Sequence, residues 1–146
     1  MIVAVDFDGT CVCSDYPRIG QDIGAVPVLR AMVRDGARLI LYTMRSGEAL
    51  DEAQQWFRDN RVPLYAVQRN PTQRHWTDSP KCHADLFIDD RALGCPLIVS
   101  PDGTSFVDWE EVNRIWVRLY REDCWGARDR REEGRRKVKP RKPPSR

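Results

Sequence analysis

The chain has 146 residues, 41% hydrophobic and 32% charged, with 10 prolines and 9 glycines. That balance fits one domain with a real core and excludes a coiled coil, a collagen-like repeat and a wholly unfolded chain. The formal net charge of +2 joins two unlike parts: residues 1–125 carry 14 basic and 19 acidic side chains, residues 126–146 carry 10 and 3.

In chain order, Ile2–Phe7 is a short apolar run that ends in carboxylates, the pattern of a fully buried strand. Residues 11–24 hold Pro17, Gly20 and Gly24 among polar residues and read as loop. Val26, Leu29, Met32 and Val33 follow helical spacing, with Asp22 as a candidate cap and Gly36 as a stop. Leu39–Tyr42 is a second buried strand that ends at Thr43. Ser46 can cap a helix running to about Asn60, with Leu50, Ala53, Trp56 and Phe57 on one face. Leu64–Val67 is a third strand, and residues 68–80 are a polar loop. Leu86–Ile88 is a fourth strand, again ending in carboxylates, and Leu97–Val99 a fifth. Pro101-Asp102-Gly103 is a turn. Asp108, with Glu111 three residues on, opens a last helix that carries Val112, Ile115, Trp116 and Leu119 on one face.

Short apolar strands alternating with helices imply an α/β fold: a three-layer, Rossmann-like parallel sheet of about five strands with helices on both faces. The domain is expected to cover 1–125. Residues 126–146 have Val138 as their one large aliphatic and end in a Pro- and Lys-rich run, a composition expected to stay disordered. No apolar run nears the roughly 20 residues of a membrane span. Met1–Asp6 lacks the basic start of a signal peptide. A cytoplasmic protein with no membrane partner is the expectation.

The five cysteines are odd in number and match no disulfide framework, so reduced thiols are expected. Cys11-x-Cys13 with Cys82-His83 lacks any C-x2-C element, and small buried thiols are favoured over a zinc site.

In a parallel α/β sheet, ligands bind at the carboxyl ends of the strands. The first strand ends at Asp6 and Asp8, the second at Thr43 and the fourth at Asp89 and Asp90. Lys81, the one lysine of residues 1–125, lies a few residues earlier. Carboxylates gathered on one edge repel unless a cation joins them, and an all-oxygen set suits Mg²⁺. Singly, each has a plainer reading: Asp8-Gly9 as a turn, Asp90 as a helix cap with Arg91 as its partner, Lys81 as an exposed helix start.

Val3-Ala4-Val5-Asp6-Phe7-Asp8-Gly9-Thr10 resembles the first motif of the haloacid dehalogenase superfamily of phosphohydrolases. Thr43 resembles the second motif, Lys81 the third and Ile88-Asp89-Asp90 the fourth, in order over residues 1–100. The basic tail has no counterpart in that pattern. The resemblance implies an Mg²⁺-dependent phosphomonoesterase. Asp6 would attack phosphorus to form an aspartyl-phosphate, and Asp8 would act as general acid and then base. Mg²⁺ would be held by Asp6, the backbone carbonyl of Asp8 and Asp89, with Asp90 as a direct or outer ligand. Thr43 would hydrogen-bond the phosphoryl group and Lys81 would neutralise it. Receiver domains use similar parts, but in the other order, with an acidic pair after the first strand and the lysine last.

The two loops where this superfamily inserts caps span Cys11–Asp22 and Gln68–Pro80, 12 and 13 residues. Neither can fold alone, since chains below about 40 residues rarely do. The site is expected to be capless and open, unless a neighbouring subunit of an oligomer covers it. It would then admit a small phosphorylated molecule or a phosphorylated macromolecular end. Arg45, two residues past Thr43, is a candidate substrate anion contact. Trp76 among arginines could stack a base or sugar, or could simply rest on the domain. The tail could contact nucleic acid without sequence preference. The rival expectation is therefore a non-catalytic module of this fold docking on nucleic acid, and a nucleic-acid end-processing phosphatase would combine the two.

Overall fold

The computed structural model describes residues 1–121. The expected basic tail, with Cys124, lies outside the described residues. Packing divides the chain at Val112 into Met1–Val112 and Asn113–Arg146.

The elements run β1 (Ile2–Val5), α1 (Ala25–Arg34), β2 (Arg38–Leu41), α2 (Gly47–Asp59), β3 (Leu64–Val67), a 3₁₀ turn (Gln73–His75), β4 (Leu86–Ile88), β5 (Leu97–Val99), β6 (Ser105–Val107) and α3 (Trp109–Arg121). The fold is α/β. Four strands form a parallel sheet in the order β3-β2-β1-β4, flanked by helices. The central strand β1 is buried along its whole length, as is β2 from Leu39 to Leu41. A strand covered on both faces has to be apolar throughout, and this is why neither shows alternation.

Leu97–Val99 is a strand, but it pairs antiparallel with Ser105–Val107 in a separate ribbon. The turn at Ser100–Thr104 closes that ribbon, with Ser100 N–H bonded to Thr104 O at 2.8 Å. A three-residue hairpin loop lets two short runs pair with each other locally rather than with the main sheet.

The crossovers from β1 to β2 and from β2 to β3 step the same way across the parallel sheet, and the usual right-handed rule for such units then puts α1 and α2 on one face. On that face Phe7, fully buried, meets Trp56 edge-on at 5.5 Å and Phe57 at 6.0 Å. On the other face Ile2, Ile40 and Cys82 form a buried cluster with Tyr65, Ala66 and Ala84 packed against it. Capping follows the sequence only in part. Asp22 Oδ1 accepts the N–H groups of Ala25 and Val26 at 3.0 and 3.3 Å. Asp108 Oδ1 accepts those of Glu110 and Glu111, both at 3.0 Å. Ser46 sits at the start of α2 but its hydroxyl makes no capping bond. Among the described residues no helix is long and apolar enough to cross a membrane.

Candidate active site

β1 and β4 are paired in register, Val5 with Ile88. The residues just beyond these strands therefore emerge side by side. Oxygens of Asp6, Asp89 and Asp90 all lie within 4.8 Å of one another. Two chain segments more than 80 residues apart are joined there by Thr10, which is fully buried. Its hydroxyl donates to Asp6 Oδ2 at 3.2 Å and accepts the Asp90 N–H at 3.0 Å. Thr10 is in turn fixed from below, because Trp109 Nε1–H donates to its carbonyl at 2.6 Å.

Gly9 makes the approach of Asp90 possible. Its φ is +74°, and a Cβ there would stand 2.7 Å from Asp90 Oδ2. Asp90 also pairs with the exposed Arg91 at 3.2 Å. Asp89 Oδ1 accepts the Arg91 N–H at 2.7 Å.

Burial pushes the Asp6 carboxyl up to about 6, with Asp89 and Asp90 adding to the rise and the Phe7 N–H and Thr10 hydroxyl opposing it. Burial also raises Asp90, helped by Asp89 and opposed by Arg91. A cluster that resists ionising all its members is a cluster short of positive charge. The donor set is all carboxylate oxygen, with no His or Cys, and suits a hard divalent cation. The buried thiol of Cys11 donates to Asp6 O at 3.2 Å, and burial together with Asp6 holds it protonated.

The Asp8 carboxylate is not in this cluster. Both its oxygens are gripped by Arg45, Nε on Oδ2 and Nη2 on Oδ1, each at 2.7 Å. The Arg45 residue is 2% exposed. Its other guanidinium hydrogen bonds run to the carbonyls of Pro17 and Arg18 at 2.9 and 2.7 Å, so four of its five N–H groups serve the protein itself. The position two residues past the second strand end thus holds an acid in place, where the sequence suggested a substrate contact.

Thr43 is buried at the end of β2, and its hydroxyl accepts the Arg45 N–H at 3.2 Å. Gln68, just past β3, clamps Thr43 from the side. Its Oε1 accepts the Thr43 N–H at 3.1 Å and its Nε2 donates to the Thr43 carbonyl. Lys81 is exposed and forms no ion pair among the described residues. Its backbone is anchored, because Gln73 Nε2 donates to the Lys81 carbonyl at 2.6 Å. The structure thus unites Asp6 with Asp89 and Asp90, sets Asp8 beside them in the grip of Arg45, and leaves Lys81 outside that hydrogen-bonded cluster.

The sequence gives Thr10 and Trp109 no role of their own at the site, and marks Gln68 only as one of several polar contact residues of the loop after β3. Thr10 sits inside the first motif and could have been weighed as a link. Gln68 and Trp109 act through partners 25 and 99 residues away, and no local pattern marks those pairings.

These features define an α/β protein with a preformed acidic site at the carboxyl edge of a parallel sheet. No family model and no curated protein matches the chain. Among solved structures it is similar to a conserved protein coded by a locus of Bacteroides thetaiotaomicron. The identity is 38%, over 86% of this chain and 94% of that one, with a TM-score of 0.66. The chain belongs to the same family as that conserved protein.

Proposed function

We propose that the chain is a phosphomonoesterase of the haloacid dehalogenase type that depends on Mg²⁺. The observation that carries this reading is the convergence of Asp6, Asp89 and Asp90 within 4.8 Å, at a place where burial already raises the Asp6 carboxyl. A structural ion pair would not need three carboxylates and would not leave them short of a cation.

Mg²⁺ held by Asp6, Asp89 and Asp90, with the Asp8 carbonyl, would supply the charge that lets an anionic carboxylate meet an anionic phosphate. In the first step an Asp6 oxygen attacks phosphorus, the bond to the leaving oxygen breaks, and an aspartyl-phosphate forms. Water then attacks that phosphorus, the acyl-phosphate P–O bond breaks, and Asp6 is regenerated. Asp8 handles the protons: it gives one to the leaving oxygen and takes one from the water. Held at both oxygens by Arg45, Asp8 is presented as an acceptor, ready for the second step. To donate in the first step it must give up one of those two hydrogen bonds. The Thr43 hydroxyl and the Lys81 ammonium are the groups that would meet the phosphoryl oxygens.

Phosphate release from an aryl phosphate tests the reading. Activity with Mg²⁺ should be abolished by EDTA and should fall by about 10³-fold or more in Asp6→Asn. Activity indifferent to both changes would overturn it.

A further inference from the structure

The sheet face that carries Asp6 also carries exposed aromatic side chains. Register places Ile40, Ala4 and Phe87 in one row across β2, β1 and β4. Two residues further along each strand direction stand Tyr42, Asp6 and Asp89, on the same face because side chains repeat every second residue. Ala4, with only a methyl, leaves space above the central strand. The rings of Tyr42 and Phe87 meet across it edge-on, with centroids 6.1 Å apart. Both remain exposed, at 38% and 43%. Large apolar side chains open to solvent beside a charged site mark a binding surface more often than a scattered accident.

Phe87 also lines a cavity of about 290 Å³ whose other walls include Trp76, Lys81 and His83. Trp76 is 62% exposed and stands edge-on to His83 at 5.1 Å. The loop that carries these groups is fixed. Gln73, 8% exposed, donates from Nε2 to the carbonyls of Ser79 and Lys81 at 2.8 and 2.6 Å, and its Oε1 accepts the His83 N–H at 2.7 Å. A buried amide that holds three backbone points makes the cavity preformed rather than induced. Neither this cavity nor a larger one of about 520 Å³ along α2 and β3 is lined by the site's carboxylates, but this one shares Phe87 with the strand that leads to Asp89.

Resting on the phosphatase reading, we infer that this cavity is the ring subsite of the same site and that the substrate is a nucleoside monophosphate. Phe87 precedes Asp89 by two residues, about 6.6 Å along a strand, the kind of span a pentose sets between a base and its phosphate. The aromatic walls accept a base by stacking. Lys81, which shares the cavity, would face the phosphate that bridges to Asp6. Charge does not separate the two forms, since residues 1–125 are net negative and residues 126–146 net positive; a cavity of about 290 Å³, sized for a single base, favours a free nucleotide. The end of an oligonucleotide presents the same chemistry.

The test compares AMP, ribose 5-phosphate and a 5′-phosphorylated oligonucleotide as substrates of the full chain with Mg²⁺. AMP should exceed ribose 5-phosphate in kcat/KM by about tenfold or more, and that ratio should fall about tenfold in Trp76→Ala or Phe87→Ala. Equal kcat/KM for AMP and ribose 5-phosphate, or a ratio unmoved in both variants, would overturn the inference. A higher kcat/KM for the oligonucleotide than for AMP would overturn the choice of a free nucleotide. AMP binding in EDTA, read as quenching of tryptophan fluorescence, separates the two readings. Quenching that is lost in Trp76→Ala, with no phosphate released from any ester, keeps the subsite and removes the phosphatase. Aryl phosphate hydrolysis without any quenching by AMP removes the subsite alone.

Discussion

Arg45 reaches Asp8 across 37 positions of sequence and ties it to the loop that contains Pro17 and Arg18. The planar fork matters as well as the charge, because the single ammonium nitrogen of a lysine cannot reproduce the two parallel N–H bonds of a guanidinium. Arg45→Lys should therefore lower kcat by about 10–100-fold with KM little changed, since a misplaced proton-transfer group slows the chemical steps. Steady-state kinetics check this. A lysine variant with full kcat would show that charge alone is enough. Gly9 offers a second residue-scale prediction. A Cβ at 2.7 Å would displace the Asp90 carboxylate, and the left-handed φ of +74° would strain any L-residue. Gly9→Ala should cost about 1–2 kcal/mol in urea unfolding. It should also weaken divalent-cation affinity about tenfold by calorimetry. Unchanged affinity would remove Asp90 from the cation site.

At the scale of elements, the site depends on segments that are not themselves regular. The loop after β3 holds its shape through side-chain amides: Gln68 on Thr43, Asn70 on the His83 carbonyl, and Gln73 on three backbone groups. Gln73→Ala would leave those groups without their partner. A fall in Tm of about 5–10 °C is expected from a loss of this size, together with faster amide exchange at His83. If His83 exchange is unchanged, the clamp is not what orders the loop. The elements were largely legible beforehand, because the buried strands are uninterrupted apolar runs and α1 and α2 carry one apolar face each. Two local features were not. Ser46 occupies a capping position without making the bond, since nothing in its neighbourhood reports the rotamer. The ribbon of β5 and β6 was hidden because a three-residue run such as Ser105–Val107 is too short to show a period.

For the whole molecule, the acidic cluster ties stability to pH and to cations. Asp6 carries a carboxyl raised to about 6 from an ordinary 3.8. The unfolded chain ionises first as pH rises, so folding against that group is unpenalised below about pH 4 and loses stability as pH climbs through 6. A bound divalent cation favours the ionised form and removes that loss. Thermal melts should show a larger rise in Tm on adding Mg²⁺ at pH 8 than at pH 5. An equal rise at both would place the cation elsewhere. The sequence by itself determined the α/β class, the order along the chain of the four strands of the main sheet, and which carboxylates end which strands, because those depend on apolar runs and on the rule that sites form at strand ends. Only the tertiary structure decided that Asp6, Asp89 and Asp90 meet, that Arg45 closes on Asp8, and that Tyr42, Phe87 and Trp76 stand open beside them. Such contacts join residues tens of positions apart. They are set by strand register and loop packing, which no local stretch of sequence encodes.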